Sequence, residues 1–337
     1  MSQTVVIAGM ARTPMGGMQG CFSDVAAPDL GANSIKASLE RSGVSPDRIE
    51  ETIMGCVLPA GLGQAPARQA SLNAGIPDTT GCVTVNKMCG SGMKAVMMGH
   101  DSIAAGSAEL LVAGGMESMT NAPYILPKMR SGARLGHTQV LDHMFIDGLE
   151  DAYDKGRLMG TYAEDTAQHF GFTREAQDEF AIESLKRAQR AIDRGEFKRE
   201  ISPVSVTNRK GTHDVDTDEQ PGNANLDKIP QLKPAFAKDG TVTAANSSSI
   251  SDGAAAMILT TDTFASQNGL QVNARILGHS THAHAPAWFT TAPVSAIRKL
   301  LDKLNWSVGD VDLFEVNEAF ACVAMAAMHE LDIPHDK

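Results

Sequence analysis

At 337 residues, with 42% hydrophobic and 20% charged residues, the chain can build two domains or one large α/β unit around a substantial core. A net charge of −11 and the lack of any long Lys/Arg run argue against a nucleic-acid binder. Five scattered cysteines without a CxxC pair fit a reducing compartment and exclude a disulfide framework or zinc site, and no basic leader or long apolar run is present, so the sequence reads as soluble and cytoplasmic with no membrane partner.

The first predicted element is a strand over Thr4 to Ala8, followed by an amphipathic helix through Ile35 to Arg41, a turn at Ser45-Pro46, and a strand Glu51 to Val57. A helix is expected near Gln64 to Asn73, then a short β-branched strand, Cys82 to Val85. From Met93 apolar residues recur at helical spacing (Val96, Met97, Ile103) until Gly106. Cys89 therefore falls at a strand-to-helix joint, where free N–H groups and the helix dipole favour a thiolate. Gly90 and Gly92 are read as giving a bulky substrate access to the sulfur and tolerating strained backbone, the logic of a nucleophile elbow without the GxSxG spacing. The alternative is a buried structural cysteine. A strand follows at Glu109 to Ala113, ending at Gly114-Gly115.

From Glu117 to Ser248 the texture changes to loop-rich and charged, with one strong helix from N-cap Thr173 to Gly195 that sets Phe180, Leu185, Ala188 and Ile192 on one face. This segment reads as an insertion covering an active site and binding a large substrate. Asp214-Val215-Asp216-Thr217-Asp218 starts like a calcium loop, but Glu219 stands where glycine is required and Asn225 where glutamate is, leaving a solvated acidic loop. Thr243 to Ala256 is a small-residue turn entering a strand, Ala256 to Thr260. His279, His282 and His284 have no partner at ligand spacing, so no metal is expected. Asn317-Glu318-Ala319-Phe320 follows a predicted strand, Val311 to Val316, and Asn317 either polarises an oxygen or caps the helix that runs through Met325 to His329. Neither GxGxxG nor GxxxxGK[ST] occurs.

The chain also repeats itself. Ile35 to Glu50 aligns without a gap to Ile297 to Asp312, an offset of 262 residues, each segment a helix, a serine-bearing turn and an acidic lead into a strand (Glu51 to Val57; Leu313 to Val316). Each is preceded by a strand-like run, the second being Val272 to Leu277. Two copies of one α/β unit are implied, and the counterpart of the Cys89 elbow would fall past Lys337, so half of one sheet is expected to be missing.

Taken together, Val85 to Ala95, Gly114-Gly115-Met116-Glu117-Ser118-Met119, Thr243 to Ala256 and Asn317 to Ala321 resemble the thiolase family, and within it the acetoacetyl-CoA thiolase type. The resemblance implies a duplicated αβαβα five-layer α/β fold with an inserted loop domain: residues 1–116 and 249–270 forming an N-terminal thiolase domain, 117–248 the inserted loops, and 271–337 a C-terminal thiolase domain whose second half is incomplete. It implies condensation of two acetyl-CoA to acetoacetyl-CoA and CoA, or the reverse thiolysis, with Cys89 acylated and Asn317 holding a water in an enolate oxyanion hole. By the same matching Leu149, Met159, Leu232, Ala235, Phe236, Ala244, Ser248, Phe289, Ala319 and Phe320 line the pantetheine and acyl path. Coenzyme A is then part of substrate and product, and no separate cofactor is implied. The segment Ser131 to Met144 resembles a loop that clasps two dimers into a homotetramer.

Three departures stand out. Leu158-Met159-Gly160 replaces His-Met-Gly, and the loop Glu219 to Gly222 lacks an arginine that some relatives place near the CoA nucleotide. The family's further catalytic histidine and its acid/base cysteine have no counterpart before Lys337, so the chain is expected to lack a C-terminal catalytic segment and to be incomplete for catalysis. The competing readings are a ketoacyl-synthase-like condensing enzyme, which Asn317-Glu318-Ala319-Phe320 disfavours, and a non-catalytic protein that binds CoA thioesters.

Overall fold

A computed structural model describes residues 4–209 and 211–337. The strands in chain order are β1 (Val5–Arg12), β2 (Gly16–Gly17), β3 (Glu51–Gly55), β4 (Gly81–Val85), β5 (Leu110–Ser118), β6 (Tyr124–Ile125), β7 (Leu141–Asp142), β8 (Val204–Asn208), β9 (Gly211–Val215), β10 (Ser251–Thr261) and β11 (Ala274–Ile276). The helices are α1 (Ala27–Ser42), α2 (Pro66–Asn73), α3 (Ser91–Ala104), α4 (Met159–Phe170), α5 (Arg174–Asp193), α6 (Glu219–Asn223), α7 (Asp262–Gln267), α8 (Ala292–Leu304) and α9 (Ala321–Leu331). They divide into two compact units: 1–149 with 194–222 and 250–276, and 150–193 with 223–249 and 277–337.

The first unit is built on a mixed sheet in the order β11-β1-β10-β5-β3-β4, with β2 added to β10. β5, β3 and β4 run parallel, while β10 is antiparallel to both β5 and β1. The parallel half is a β3–α2–β4–α3–β5 run, so α2 and α3 are its crossover helices. Both sheet faces are covered, which explains the unbroken apolar runs: Met54, Val112 and Ile258 join Leu30, Ile35 and Leu39 of α1 in one core, whereas their chain neighbours Ile53, Leu111 and Leu259 join Ala95 and Ile103 of α3 in another. Glycine sets the spacing between the central strands. A Cβ on Gly114 would lie 2.1 Å from the carbonyl oxygen of Ala255 on β10.

The hairpin β8–β9 belongs to this unit. Asp218, read from sequence as part of a solvated loop, is instead buried: Arg12 donates to its two oxygens at 2.7 and 3.0 Å, and Met15 N–H adds a third bond at 2.8 Å. A bidentate guanidinium satisfies a carboxylate that is largely removed from water.

The second unit is mainly helical. Ala163, Ala167, Val242, Phe320, Cys322 and Val323 form one apolar cluster, and Val294, Ala327, Leu331 and Ile333 another. Glu164 of α4 accepts from Thr241 N–H and Val242 N–H at 2.8 and 2.9 Å, fixing the approach to the small-residue turn. The long helix begins after Thr173 as expected, with Ala176 N–H donating to the Thr173 hydroxyl at 3.2 Å. Its fully buried side chains are polar, however: Gln177 and Asp178, the latter bonded to Arg174 and to Asn246.

The repeat survives in its helical part. Helix α1 ends at left-handed Gly43 and continues into a 3₁₀ turn at Pro46–Arg48, and α8 ends at left-handed Asn305 and continues into one at Val308–Asp310, at the same offset of 262 residues. The strand part does not survive. Leu313 to Val316 makes no ladder, with Leu313 exposed and Phe314 N–H donating to the carbonyl of Lys337 at 2.7 Å, because a strand requires a neighbour to take its backbone groups. Val272 to Leu277 contracts to β11 on the edge beside β1.

Candidate active site

In the first unit the carboxyl ends of β3 and β4 open onto the start of α3. Cys89 stands one residue before the N-cap Gly90 and is exposed. The expected elbow is present, but its strain is elsewhere than predicted. Gly90 has φ −88°, Gly92 is not left-handed either, and the residue in the left-handed region is Met88, with φ +49°. For a residue with a Cβ that conformation costs about 1–2 kcal/mol. Local hydrogen bonds offset this cost. Met88 N–H donates to Asn86 Oδ1 at 2.9 Å, Ser91 Oγ donates to the Met88 carbonyl at 2.6 Å, and Lys87 N–H donates to Ser91 Oγ at 2.8 Å. Glycine serves close packing here instead of strain: a Cβ on Gly55 would lie 2.6 to 2.7 Å from Ser91 and Gly92 backbone atoms, so the first turn of α3 sits directly on the end of β3.

The remaining thiols are differently placed. Burial, assisted by Glu219, pushes Cys21 up to about 12; burial with Glu117 does the same for Cys56, and burial with Glu164 for Cys322, each to about 12. These three are protonated at neutral pH. Cys82 is half-buried, with its sulfur 3.5 Å from the Thr80 carbonyl.

The second unit carries the other residues singled out from the sequence, Leu149 excepted. Asn317 is exposed in an irregular segment, four residues before α9, whose N-cap is Phe320. Capping is therefore not its role. The strip it belongs to is held by the small-residue turn: Ser248 N–H donates to the Ala319 carbonyl at 2.9 Å, Ser248 Oγ to the Glu318 carbonyl, and Ala321 N–H to the Asn246 carbonyl at 2.8 Å. Asn246 is in turn fixed by Asp178 at 3.0 Å. Met159, Phe236, Phe289, Ala319 and Phe320 gather in one apolar cluster, with the Phe236 and Phe320 rings edge to face at 6.0 Å. Gly160 makes room for this, since a Cβ there would lie 2.3 to 2.4 Å from the Phe236 ring. Leu232, Ala235, Ala244 and Ser248 are exposed around it. Leu149 is not in this group: it belongs to the first unit, at the end of the π-helical turn Phe145–Leu149.

Sequence reasoning missed Glu117, Glu164 and Asp178, the carboxylates that pin the loops under these residues. Their signal was weak, because an acidic residue in a polar stretch looks like surface until its backbone partners are known.

An exposed cysteine at the strand-to-helix joint of a doubly covered mixed sheet defines an α/β protein suited to covalent acyl transfer. The family model for the thiolase N-terminal domain matches residues 5–263, and that for the thiolase C-terminal domain matches 270–337. The chain belongs to the thiolase family. It is 46% identical over 331 residues to an acetyl-CoA acetyltransferase of Pseudomonas aeruginosa, covering 98% of this chain and 84% of the relative. It is 48% identical over 337 residues to acetyl-CoA acetyltransferase 2 of Arabidopsis thaliana, covering 99% and 83%. The crystal structure of a thiolase from Ascaris suum in complex with coenzyme A superposes with a TM-score of 0.94 at 39% identity, covering 98% of this chain and 85% of that one.

These matches correct one expectation. A second half left incomplete, and with it a chain lacking its catalytic segment and unfit for catalysis, is not supported: residues 270–337 are recognised as a thiolase C-terminal domain in their own right. Among the described residues, no helix is long and apolar enough to cross a membrane.

Proposed function

We propose that this thiolase is an acetyl-CoA C-acetyltransferase that condenses two acetyl-CoA to acetoacetyl-CoA and CoA, and runs the reverse thiolysis, through an acyl-cysteine at Cys89. The observation that carries the reading is the exposed Cys89 elbow in a chain 46 to 48% identical to acetyl-CoA acetyltransferases. The Cys89 thiolate attacks the acetyl thioester carbonyl and the CoA thiolate leaves, taking up a proton. A second acetyl-CoA then gives up an α-proton, which replaces the one taken up by the departing CoA thiolate, and its enolate carbon attacks the acetyl-enzyme carbonyl, breaking the thioester bond, releasing acetoacetyl-CoA and returning the cysteine thiolate. Asn317, exposed beside the small-residue turn, holds the water that stabilises the enolate oxygen. The apolar cluster of Met159, Phe236, Phe289, Ala319 and Phe320, with Leu149, Leu232, Ala235, Ala244 and Ser248, lines the pantetheine and acyl path.

Acetylation of Cys89 tests this directly. Incubation with acetyl-CoA, rapid denaturation and tryptic mapping are expected to place the acetyl group on the peptide 88–94, which contains Cys89 alone among the five cysteines. Free CoA should appear in step. Acetylation of another cysteine, or none with intact acetyl-CoA, would sink the reading.

The same proposal places residues 1–116 and 249–270 in an N-terminal thiolase domain, 117–248 in the inserted loops and 271–337 in a C-terminal domain, in a cytoplasmic enzyme of fatty acid metabolism. It also makes the protein a homotetramer, a dimer of dimers. Leu126, Met129, Leu135 and Val140 are exposed, Leu135 to 97%, on the loop around the β6–β7 hairpin, and such side chains are expected to be covered by a partner. Light scattering should give a tetramer, and Leu135→Asp a dimer; a native dimer would exclude this role for the loop.

A further inference from the structure

The chemistry above leaves the partly buried carboxylate of Glu117, in the first unit, without a task. Glu117, on β5, uses both oxygens on consecutive residues beyond β3: Oε2 accepts from Val57 N–H at 2.8 Å, and Oε1 from Leu58 N–H at 3.1 Å and the Cys56 thiol at 3.5 Å. Val57 thereby faces Glu117 with its N–H and turns its carbonyl the other way, where Asn86 Nδ2 donates to it at 3.4 Å. Cys56 N–H donates to the Val85 carbonyl at 3.0 Å and binds the same turn to the end of β4. Asn86 then closes the path, because its Oδ1 receives the N–H of Met88, the left-handed residue immediately before Cys89.

We propose that Glu117 is a positioning residue for Cys89, acting through the Cys56–Leu58 turn and Asn86 to hold the left-handed Met88 geometry that presents the sulfur at the opening of α3. The role rests on Cys89 being the reactive nucleophile. A carboxylate fits the task where an amide does not: it is an acceptor at both oxygens, and the two N–H groups it clamps need two acceptors. Burial pushes the Glu117 carboxyl above its ordinary range, and the Val57 and Leu58 N–H bonds work against that shift.

The test measures the alkylation rate of Cys89 by iodoacetamide, read on peptide 88–94, in the full chain carrying Glu117→Gln, Asn86→Ala or both. Each single variant is expected to slow labelling about tenfold, the scale of a small misplacement of a reacting group. The double variant should be no slower than the worse single one, because both act along one path. In acetoacetyl-CoA thiolysis kcat should fall with KM little changed, and Glu117→Asp should recover part of it. Glu219→Gln is the matched control: Glu219 clamps Gly17 N–H and Cys21 N–H in another turn, at 2.8 and 3.1 Å. It should lower Tm and leave Cys89 labelling at the native rate. Native-rate labelling in Glu117→Gln with a lowered Tm would reduce Glu117 to a structural part and overturn the proposal. Should Glu117→Gln not fold, Asn86→Ala decides, since its side chain is exposed, and native-rate labelling there overturns the path. If native Cys89 labels rapidly but thiolysis is absent, the proposed function fails while the positioning result stands.

Discussion

Cys89→Ala is expected to abolish acetoacetyl-CoA thiolysis, with a loss of at least about 10⁴-fold, the scale seen when a covalent nucleophile is removed. Three of the other cysteines cannot take its place: Cys21, Cys56 and Cys322 are held as thiols, pushed up to about 12. The fold should not follow the activity. Cys89 is exposed and contributes nothing to either apolar core of its unit, so Tm should stay within a degree or two of native, as for a surface substitution. Asn317→Ala should act differently. It removes a positioned donor and keeps the nucleophile, so kcat should drop on the order of 10² to 10³ while acetylation of Cys89 persists. The decisive measurement is steady-state thiolysis beside trapped acetyl-enzyme for both variants. Substantial turnover by Cys89→Ala would overturn the covalent mechanism, and native turnover by Asn317→Ala would remove that residue from the oxyanion hole.

Gly114→Val should have the largest effect on stability. Position 114 sits at the centre of β5, paired with Ala256 on β10, and its missing Cβ would come within 2.1 Å of the Ala255 carbonyl oxygen and 2.9 Å of the Ala256 Cα. Both are backbone atoms of the strand at the middle of the sheet, so neither can rotate away. Relief requires β10 to separate from β5, and those strands carry Val112 and Ile258 into one core and Leu111 and Leu259 into the other. Overpacking of this kind costs typically about 1–3 kcal/mol, and a forced backbone shift between two cores places this case at the upper end or beyond. Urea denaturation should show the midpoint falling sharply, or the variant accumulating as insoluble material. A native midpoint would mean that the sheet is more compliant than its packing indicates.

Much of the candidate site's local structure was legible because it is fixed by adjacent residues. The run from Thr84 to Val96 must turn from strand to helix around one cysteine, and the small residues of Thr243 to Ser248 must lie flat against another backbone; both constraints are written in adjacent residues. Secondary structure was legible wherever burial imposed a period, as in α1 and α3. The paired apolar runs of β3, β5 and β10 indicated strands but not their order, since a strand covered on both faces reads the same at the edge or the centre of a sheet. Sequence-only expectations went astray where a residue's state depends on a partner far along the chain. Asn317 looked like a cap until α9 was seen to begin after Phe320, and Leu313 to Val316 looked like a strand without a neighbour to pair with.

The sequence by itself determined the place of Cys89 at a strand-to-helix joint, the helix that starts behind it, the helix-and-turn repeat, and membership of a family whose motifs occur in order. Only the tertiary structure decided what holds these parts in place: Met88 as the strained residue, Glu117 clamping the turn beyond β3, Asp218 closed on Arg12, Glu164 and Asp178 fixing the loop that carries Ser248. The division has a physical cause. Propensity, period and turn chemistry act over a few residues and leave their mark in neighbouring letters. A buried carboxylate is satisfied by backbone N–H groups, which every residue but proline possesses, so nothing in the sequence of the partner announces the bond.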